Sequence, residues 1–392
     1  MGTEMNMQEI LDHIAVPRPS YSNTYDSIVV FIKELLYPYN IPYTIQEFAL
    51  KPRLDLLIGI TIALLGIILA VFIIRKKPVA AIITALLIPA VLILEFEYFV
   101  SIVSWLITKP AENIIIQFPN PAATRELIFA AHMDSKTALF DHIQRAHIYR
   151  LIPAAIVLGL ITPLIYLIGR SKRFVKSWIF SGISMLIAVV LAAYWILFGL
   201  SFFGYVFVDD KSPGAVDDAA SVAILVELAK EIQSGRVPMS NNAVTILLTT
   251  GEELNLLGAQ AYVNEFFPSG NNGRKIPAML INLDCVGQSG NLAYFESNGV
   301  FLRHYPADPG LVNEVGKAFK AVSGRIIDKG PSSTDDSVCF MAKGIPAITL
   351  CNTGIPGQGM GGFHSAADNM HRIDLNNMKM ALDTLIHVIG NK

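Results

Sequence analysis

The chain has 392 residues and a formal net charge of −2, with 53% hydrophobic and only 16% charged residues and a mean hydropathy of +0.48. A near-neutral chain with no basic stripe outside a few short clusters excludes nucleic acid as a partner. Cys285, Cys339 and Cys351 are odd in number and sit in apolar, strand-like runs, so packed free thiols are expected rather than a disulfide framework.

Reading from the N-terminus, MGTEMNMQEILDHIAVPRPS has no apolar core of the kind a signal peptide needs, and none is expected. A strand over Tyr43 to Leu50 is followed by an apolar run from Leu54 to Ile74. At about 1.5 Å per residue this run is long enough to cross about 30 Å of hydrocarbon. Arg75, Lys76 and Lys77 follow. A second run from Val79 to about Leu94 meets Glu95 and Glu97 and resumes through Phe99 to Thr108. The acidic pair is expected at a membrane surface, with Tyr98 and Trp105 as interface anchors. The same plan recurs as Leu151 to Ile168, a basic turn with Arg170, Lys172, Arg173 and Lys176, then Trp178 to about Phe207.

Two basic-tipped pairs of apolar helices read as two transmembrane hairpins. The segments expected are 1–53, 109–150 and 208–392 for one polar domain, with hairpins at 54–108 and 151–207. Each hairpin leaves and re-enters one face of a membrane, so the polar segments stay together on one side. The basic tips place that side outside the cytoplasm by the positive-inside tendency, although Lys51, Arg53, Lys109, Arg145, Arg150 and Lys211 reduce the asymmetry. The spans lack paired central charges and broken-helix signals, which favours anchoring in the lipid bilayer over transport.

The polar segments read as an α/β fold. Buried strands are expected at Glu126 to Ala131, Ala243 to Thr249, Ala278 to Leu283 and Ala347 to Leu350, with a crossover helix from Ala219 to Ser234. In open α/β sheets, ligands gather at the carboxyl ends of the strands. That is where the chain puts His132 (in AAHMDSK), Glu252 and Glu253 (in LLTTGEELNLLGA), Asp284 (in INLDCVG) and, past the last strand, His364 (in GGFHSAADN). Asp217 lies in SPGAVDDAAS, just ahead of the crossover helix.

Imidazole nitrogen and carboxylate oxygen are zinc ligands, and a pair of metals needs a shared ligand that a carboxylate can supply. Asp217 is the candidate bridge. His132 and Asp284 would complete one zinc site, and Glu253 and His364 the other. Glu252 is left over, placed to take a proton from the attacking water between the metals and pass it to the leaving amine. Asp134 is expected to accept the second ring N–H of His132 and fix its tautomer. Any one of these fragments alone is usually a solvated turn or a helix cap. The argument rests on all of them in one order. His142, His147, His304, His371 and His387 read as surface or packing residues, and Asp335, Asp336 and Asp368 as either site neighbours or caps.

The runs HMDS, GAVDDAAS, GEE, NLDCVG and FHSAADN, together with AVPRPSYSN and STDDSVCFMAKGIPAITL, resemble the di-zinc aminopeptidase family of the bacterial leucyl aminopeptidase and aminopeptidase Y type. The resemblance spans most of the polar chain. It implies a zinc-exopeptidase-like, mainly parallel mixed sheet flanked by helices, two zinc ions on the ligands named above, a peptide substrate and a cis peptide between Asp217 and Asp218. After Asp217 the chain departs from the family pattern, with Asp218, Ala219, Ala220 and Ser221 where members carry Asn or Asp, a small residue and Gly.

Two other readings compete. A glutaminyl-cyclase-like enzyme has a related fold and uses one zinc. Receptor-like relatives have lost ligands, whereas this chain keeps them and keeps Glu252 as well. Substrate preference depends on the loops from Gln288 to Tyr305 and Gly354 to Gly362, and neither it nor the oligomeric state is legible in the pattern.

Overall fold

The computed structural model describes residues 5–103, 105, 107–169, 172, 177–204, 207–272, 274–354 and 361–390. Arg170, Arg173 and Lys176 of the second basic cluster, and residues 355–360 of the loop before His364, lie outside them. The chain divides into two compact units. One comprises residues 1–50, 108–137 and 210–392, the other 51–107 and 138–209.

The first unit is built on ten strands: β1 (Tyr43–Leu50), β2 (Lys109–Phe118), β3 (Arg125–His132), β4 (Asn242–Thr249), β5 (Ala278–Leu283), β6 (Leu292–Phe295), β7 (Ser297–Gly299), β8 (His304–Pro306), β9 (Asp328–Gly330) and β10 (Ala347–Asn352). Eight form one sheet in the order β1-β2-β4-β3-β5-β10-β6-β9, and β7 pairs with β8. The central strands β4, β3, β5 and β10 are mutually parallel, while β2 is antiparallel to β4 and β6 to β10. This is the mixed sheet the sequence leads one to expect. The central strands read as unbroken apolar runs because both of their faces are covered; every residue of β10 is buried. At the edge, β1 alternates and is largely exposed.

The helices of this unit are α1 (Met7–Ile14), α2 (Asn23–Leu36), α8 (Ala220–Gln233), α9 (Leu257–Phe266), α10 (Pro309–Ser323), α11 (Ser337–Ala342) and α12 (Leu375–Gly390). On one face, Leu127, Phe129 and Ala131 of β3 pack with Val222 and Val226 of α8, Leu311 and Val315 of α10 and Leu385 of α12. On the other, Tyr262 of α9 and Phe340 of α11 bring their rings to 5.8 Å. Helix α8 is buried along most of its length, as a crossover helix packed on a sheet must be.

The second unit is helical: α3 (Leu54–Ile74), α4 (Pro78–Leu92), α5 (His142–Tyr149), α6 (Ile152–Ile168) and α7 (Trp178–Leu200). Among the described residues, four stretches are long and apolar enough to cross a membrane: Leu54–Ile74, Pro78–Glu97, His142–Ile168 and Trp178–Leu200. Their outward faces are apolar too, with Leu64, Ile83, Val157 and Leu186 half exposed or more, a pattern that suits lipid rather than water. The stretch Phe99 to Val103 is not helical. The helix ends in a single π-helical turn, Ile93–Glu97, that buries Glu95 and Glu97, and the Glu95 carboxylate accepts the backbone N–H of Val103.

Glycines allow α3 and α7 to touch. A Cβ on Gly66 would land on the side chain of the buried Trp195, and a Cβ on Gly59 or Gly199 would land on the other's carbonyl oxygen. Helices in lipid gain most of their attraction from such close backbone approach. Gly66→Ile is therefore expected to lower the melting temperature of the detergent-solubilised protein, by overpacking worth about 1–3 kcal/mol. Gly182→Ile, with nothing within 4 Å of its Cβ, serves as the control. Equal melting of the two variants would contradict this packing.

Candidate metal centre and active site

Because β4, β3, β5 and β10 run the same way, their carboxyl ends share one rim. His132 is the last residue of β3, Asp284 follows β5, the Glu252/Glu253 pair follows β4 across Gly251, and His364 lies beyond β10. Gly251 has φ +75, a backbone value that only glycine adopts freely. Asp217 precedes α8, and the peptide between Asp217 and Asp218 is cis.

The structure draws the five expected ligands into two groups. Single ligand atoms of His132, Asp217 and Asp284 lie within 4.8 Å of one another, and so do those of Asp217, Glu253 and His364. Asp217 belongs to both. Its Oδ1 is 3.1 Å from Nε2 of His132, and its Oδ2 is 3.3 Å from Nε2 of His364. Glu253 Oε1 stands 3.1 Å from the same His364 nitrogen. All five side chains are buried, and His132 Nε2 and Glu253 Oε1 are buried atoms with no hydrogen bond. Buried polar atoms rarely go unpaired. Here each orphan lies 3.1 Å from another ligand atom, His132 Nε2 from Asp217 Oδ1 and Glu253 Oε1 from His364 Nε2, and nitrogen with carboxylate oxygen is a donor set that fits zinc.

The electrostatics agree. Burial raises the Asp217 carboxyl, but His132 and His364 outweigh it and hold the group well below the usual carboxylate range. Both oxygens of Asp217 are thus available at neutral pH. Burial, joined by the charge of Asp217 and opposed by His132, pushes Asp284 up to about 8. For His364, burial acts downward, but Glu253 and Asp217 prevail and push it up to about 9. Histidines and acids that share protons this way are groups a cation would relieve.

Glu252 stands outside both metal groups. Burial pushes its carboxyl well above the ordinary range; His132 opposes this, while Glu253, Asp284 and Asp336 add to it. Its backbone N–H donates to Asp134 Oδ1 at 3.3 Å, and that of Gly251 donates to the same oxygen at 3.0 Å. The Nδ1 of His132 lies 3.1 Å from the backbone carbonyl of Asp134 and 3.7 Å from its carboxylate. Asp134 therefore orients the imidazole through its main chain and the Glu252 turn through its side chain.

Sequence reasoning passes over the role of Asp218 and leaves Asp335, Asp336 and Asp368 as either site neighbours or caps. The Asp218 carboxylate accepts the backbone N–H of both His132 and Cys285 at 3.3 Å, tying together the strand ends that carry two ligands. Asp368 accepts the N–H groups of Val216 and Asp217 at 2.8 and 3.2 Å, tying the His364 loop to the Asp217 turn. Asp336 accepts from Thr249, and Asp335 from Asn282 and Thr349, under the rim. Only the DD pair after Val216 and the acid four residues after His364 could have hinted at this. A carboxylate that binds backbone amides leaves no spacing rule in a sequence.

Strand alternation predicts a Cys285 side chain turned away from the site, and the structure corrects this. The strand ends at Leu283, Cys285 takes φ +63, and its Sγ–H donates to Asp284 Oδ1 at 3.0 Å. His364 also lies in the left-handed region, at φ +63. Such conformations in non-glycine residues concentrate at functional sites.

Comparison with known proteins extends this picture. Residues 202–389 match peptidase family M28. The endoplasmic reticulum metallopeptidase 1 of Mus musculus is 26% identical over 189 residues, a stretch that covers 46% of this chain and 19% of that protein. The chain thus spans about a fifth of the length of that curated relative. Among solved structures, a Zn-dependent exopeptidase from Parabacteroides distasonis superposes with a TM-score of 0.54 at 16% identity, covering 99% of this chain and 98% of that one. A glutaminyl cyclase from Bacteroides thetaiotaomicron gives the same TM-score and identity, covering 99% and 96%. The fold is that of the zinc exopeptidases, and residues 202–389 carry the match to peptidase family M28.

Proposed function

We propose that the protein is a membrane-spanning di-zinc aminopeptidase. The observation that carries this reading is the single Asp217 carboxylate, one oxygen beside His132 and the other beside His364. Two ligand groups joined by one carboxylate suit a pair of zinc ions about 3.5–4 Å apart. His132, Asp217 and Asp284 would hold one ion, and Asp217, Glu253 and His364 the other. When bound, zinc would polarise the scissile carbonyl and acidify the attacking water.

The protein groups supply the rest. Glu252 accepts the water's proton and returns it to the departing amine. Asp134 keeps Glu252 in place through the amides of Gly251 and Glu252. Asp218 and Asp368 hold the strand ends and loops that carry the ligands. Catalysis of this kind depends on groups fixed before the substrate arrives.

The M28 family match and the metallopeptidase relative support peptide hydrolysis, and the Zn-dependent exopeptidase neighbour supports zinc and cleavage from a chain end. Cleavage at the N-terminal end follows the resemblance in the ligand motifs. Similarity to a glutaminyl cyclase raises cyclisation as a second reading. Retention of both ligand groups, where a one-zinc enzyme needs only one, favours hydrolysis.

Four apolar stretches of spanning length among the described residues support two transmembrane hairpins. The even number of spans on each side of β3 keeps His132 and His364 on one face, taken here as the extracytoplasmic one.

Two experiments test this account. Glu252→Gln is expected to keep both zinc ions and lose about 10²–10⁴-fold in kcat on a peptide with a free N-terminus; a kcat near wild type at full zinc occupancy would remove Glu252 from the role of base. For topology, single cysteines at the exposed Lys76, Lys172, Gln144 and Asn376 in a background without native thiols are treated with an impermeant reagent. Gln144 and Asn376 should label in intact cells, and Lys76 and Lys172 only after lysis. Separation of Gln144 from Asn376 would contradict the paired hairpins.

A further inference from the structure

Arg18 is 1% exposed, and charged side chains are almost never buried this completely without a paired group. Every hydrogen bond its guanidinium makes ends on a backbone carbonyl. Nε donates to Met133 O at 2.7 Å, Nη1 to Pro213 O at 2.6 Å and Val16 O at 3.3 Å, and Nη2 to Gly214 O at 3.1 Å. The Arg18 backbone is bound as well, its N–H donating to Ser135 Oγ at 2.9 Å and its carbonyl accepting the N–H of Ser135 at 3.2 Å.

Apart from Val16, two residues before Arg18 in the chain, these acceptors belong to two segments of the site. Met133 follows His132 directly, and Pro213 and Gly214 open the turn that ends at Asp217. Gly214, at φ +59, has no room for a Cβ, which would meet the Asp217 carbonyl, Ser135 and the Arg18 guanidinium. Around the cation stand the charges of Asp368, Asp134, Asp218 and Asp217, none of which takes a hydrogen bond from its guanidinium. The fork is thus spent on geometry, and the surrounding acids offset part of the cost of burying the charge.

We propose that Arg18 is a positioning residue that sets the distance between His132 and Asp217 and so builds the zinc site those two ligands share with Asp284. The proposal rests on the di-zinc reading above. It also discriminates between the two sites. The site of Glu253 and His364 keeps its own two ligands, and Asp217 remains fastened to Asp368 through the amides of Val216 and Asp217.

Lysine keeps the charge of Arg18, but its single nitrogen cannot bridge Met133 to Pro213 and Gly214 as a planar fork does. The test titrates full-length, detergent-solubilised wild type, R18K and Gly214→Ala with zinc against a chromophoric chelator, and records the melting curve of each metal-free protein. Wild type should bind two ions. In R18K one ion should bind about 10–100-fold more weakly and the other as in wild type, with the metal-free melting curve close to wild type. Gly214→Ala should weaken the same ion from the loop side of the joint.

Wild-type affinity for both ions in R18K would overturn the proposal, as would equal weakening of both. Loss of the metal-free fold in R18K would overturn it in favour of a purely structural role. Fewer than two ions in the wild type would overturn the di-zinc reading itself, and this proposal with it.

Discussion

One carboxylate holds the centre of this protein together. Asp217 places its two oxygens against two histidines that arrive from different strands of the sheet, His132 from β3 and His364 from the loop beyond β10. In a buried setting an unpaired carboxylate carries a penalty of several kcal/mol. The arrangement therefore persists only if every surrounding group is fixed to suit it. That requirement explains the ring of backbone bonds outside the ligands. Asp134, Asp218 and Asp368 each bind amides of the chain that carries a ligand or Glu252, and Arg18 binds the carbonyls between them.

The sheet is what makes this convergence cheap. Four parallel strands end on one rim, so four ligand-bearing segments need only short excursions to meet. The two apolar hairpins enter at places that respect this geometry. One leaves after β1 and returns at β2, which pair antiparallel along their whole length. The other leaves after the His132 segment and returns ahead of Asp217. An inserted pair of helices costs the host domain little when the chain leaves and re-enters it at neighbouring points.

Much of this was legible in the sequence. The four buried strands and the crossover helix were readable from apolar runs, since burial on both faces writes itself as continuous hydrophobicity. Leu54–Ile74 was readable as a helix from its length and its basic boundary. The candidate ligands could be named because metal chemistry restricts residue types to a few, and the fold brings those residues together. Cys285 was misread, because its backbone turns to φ +63 just past β5 and the sequence INLDCVG does not mark that point. Asp218 and Arg18 were passed over, and Asp368 was left between site neighbour and cap, for a deeper reason. Their partners are backbone groups brought close only by the fold, and backbone groups are identical at every position. The partner of Glu95 is hidden in the same way, since it is the backbone amide of Val103.

The most direct test of the shared carboxylate is anomalous diffraction at the zinc absorption edge from crystals of the full-length protein grown with zinc. Two peaks about 3.5–4 Å apart, on either side of the Asp217 carboxylate, are predicted, one next to His132 and Asp284 and the other next to Glu253 and His364. A single peak, or two that do not share Asp217, would contradict it.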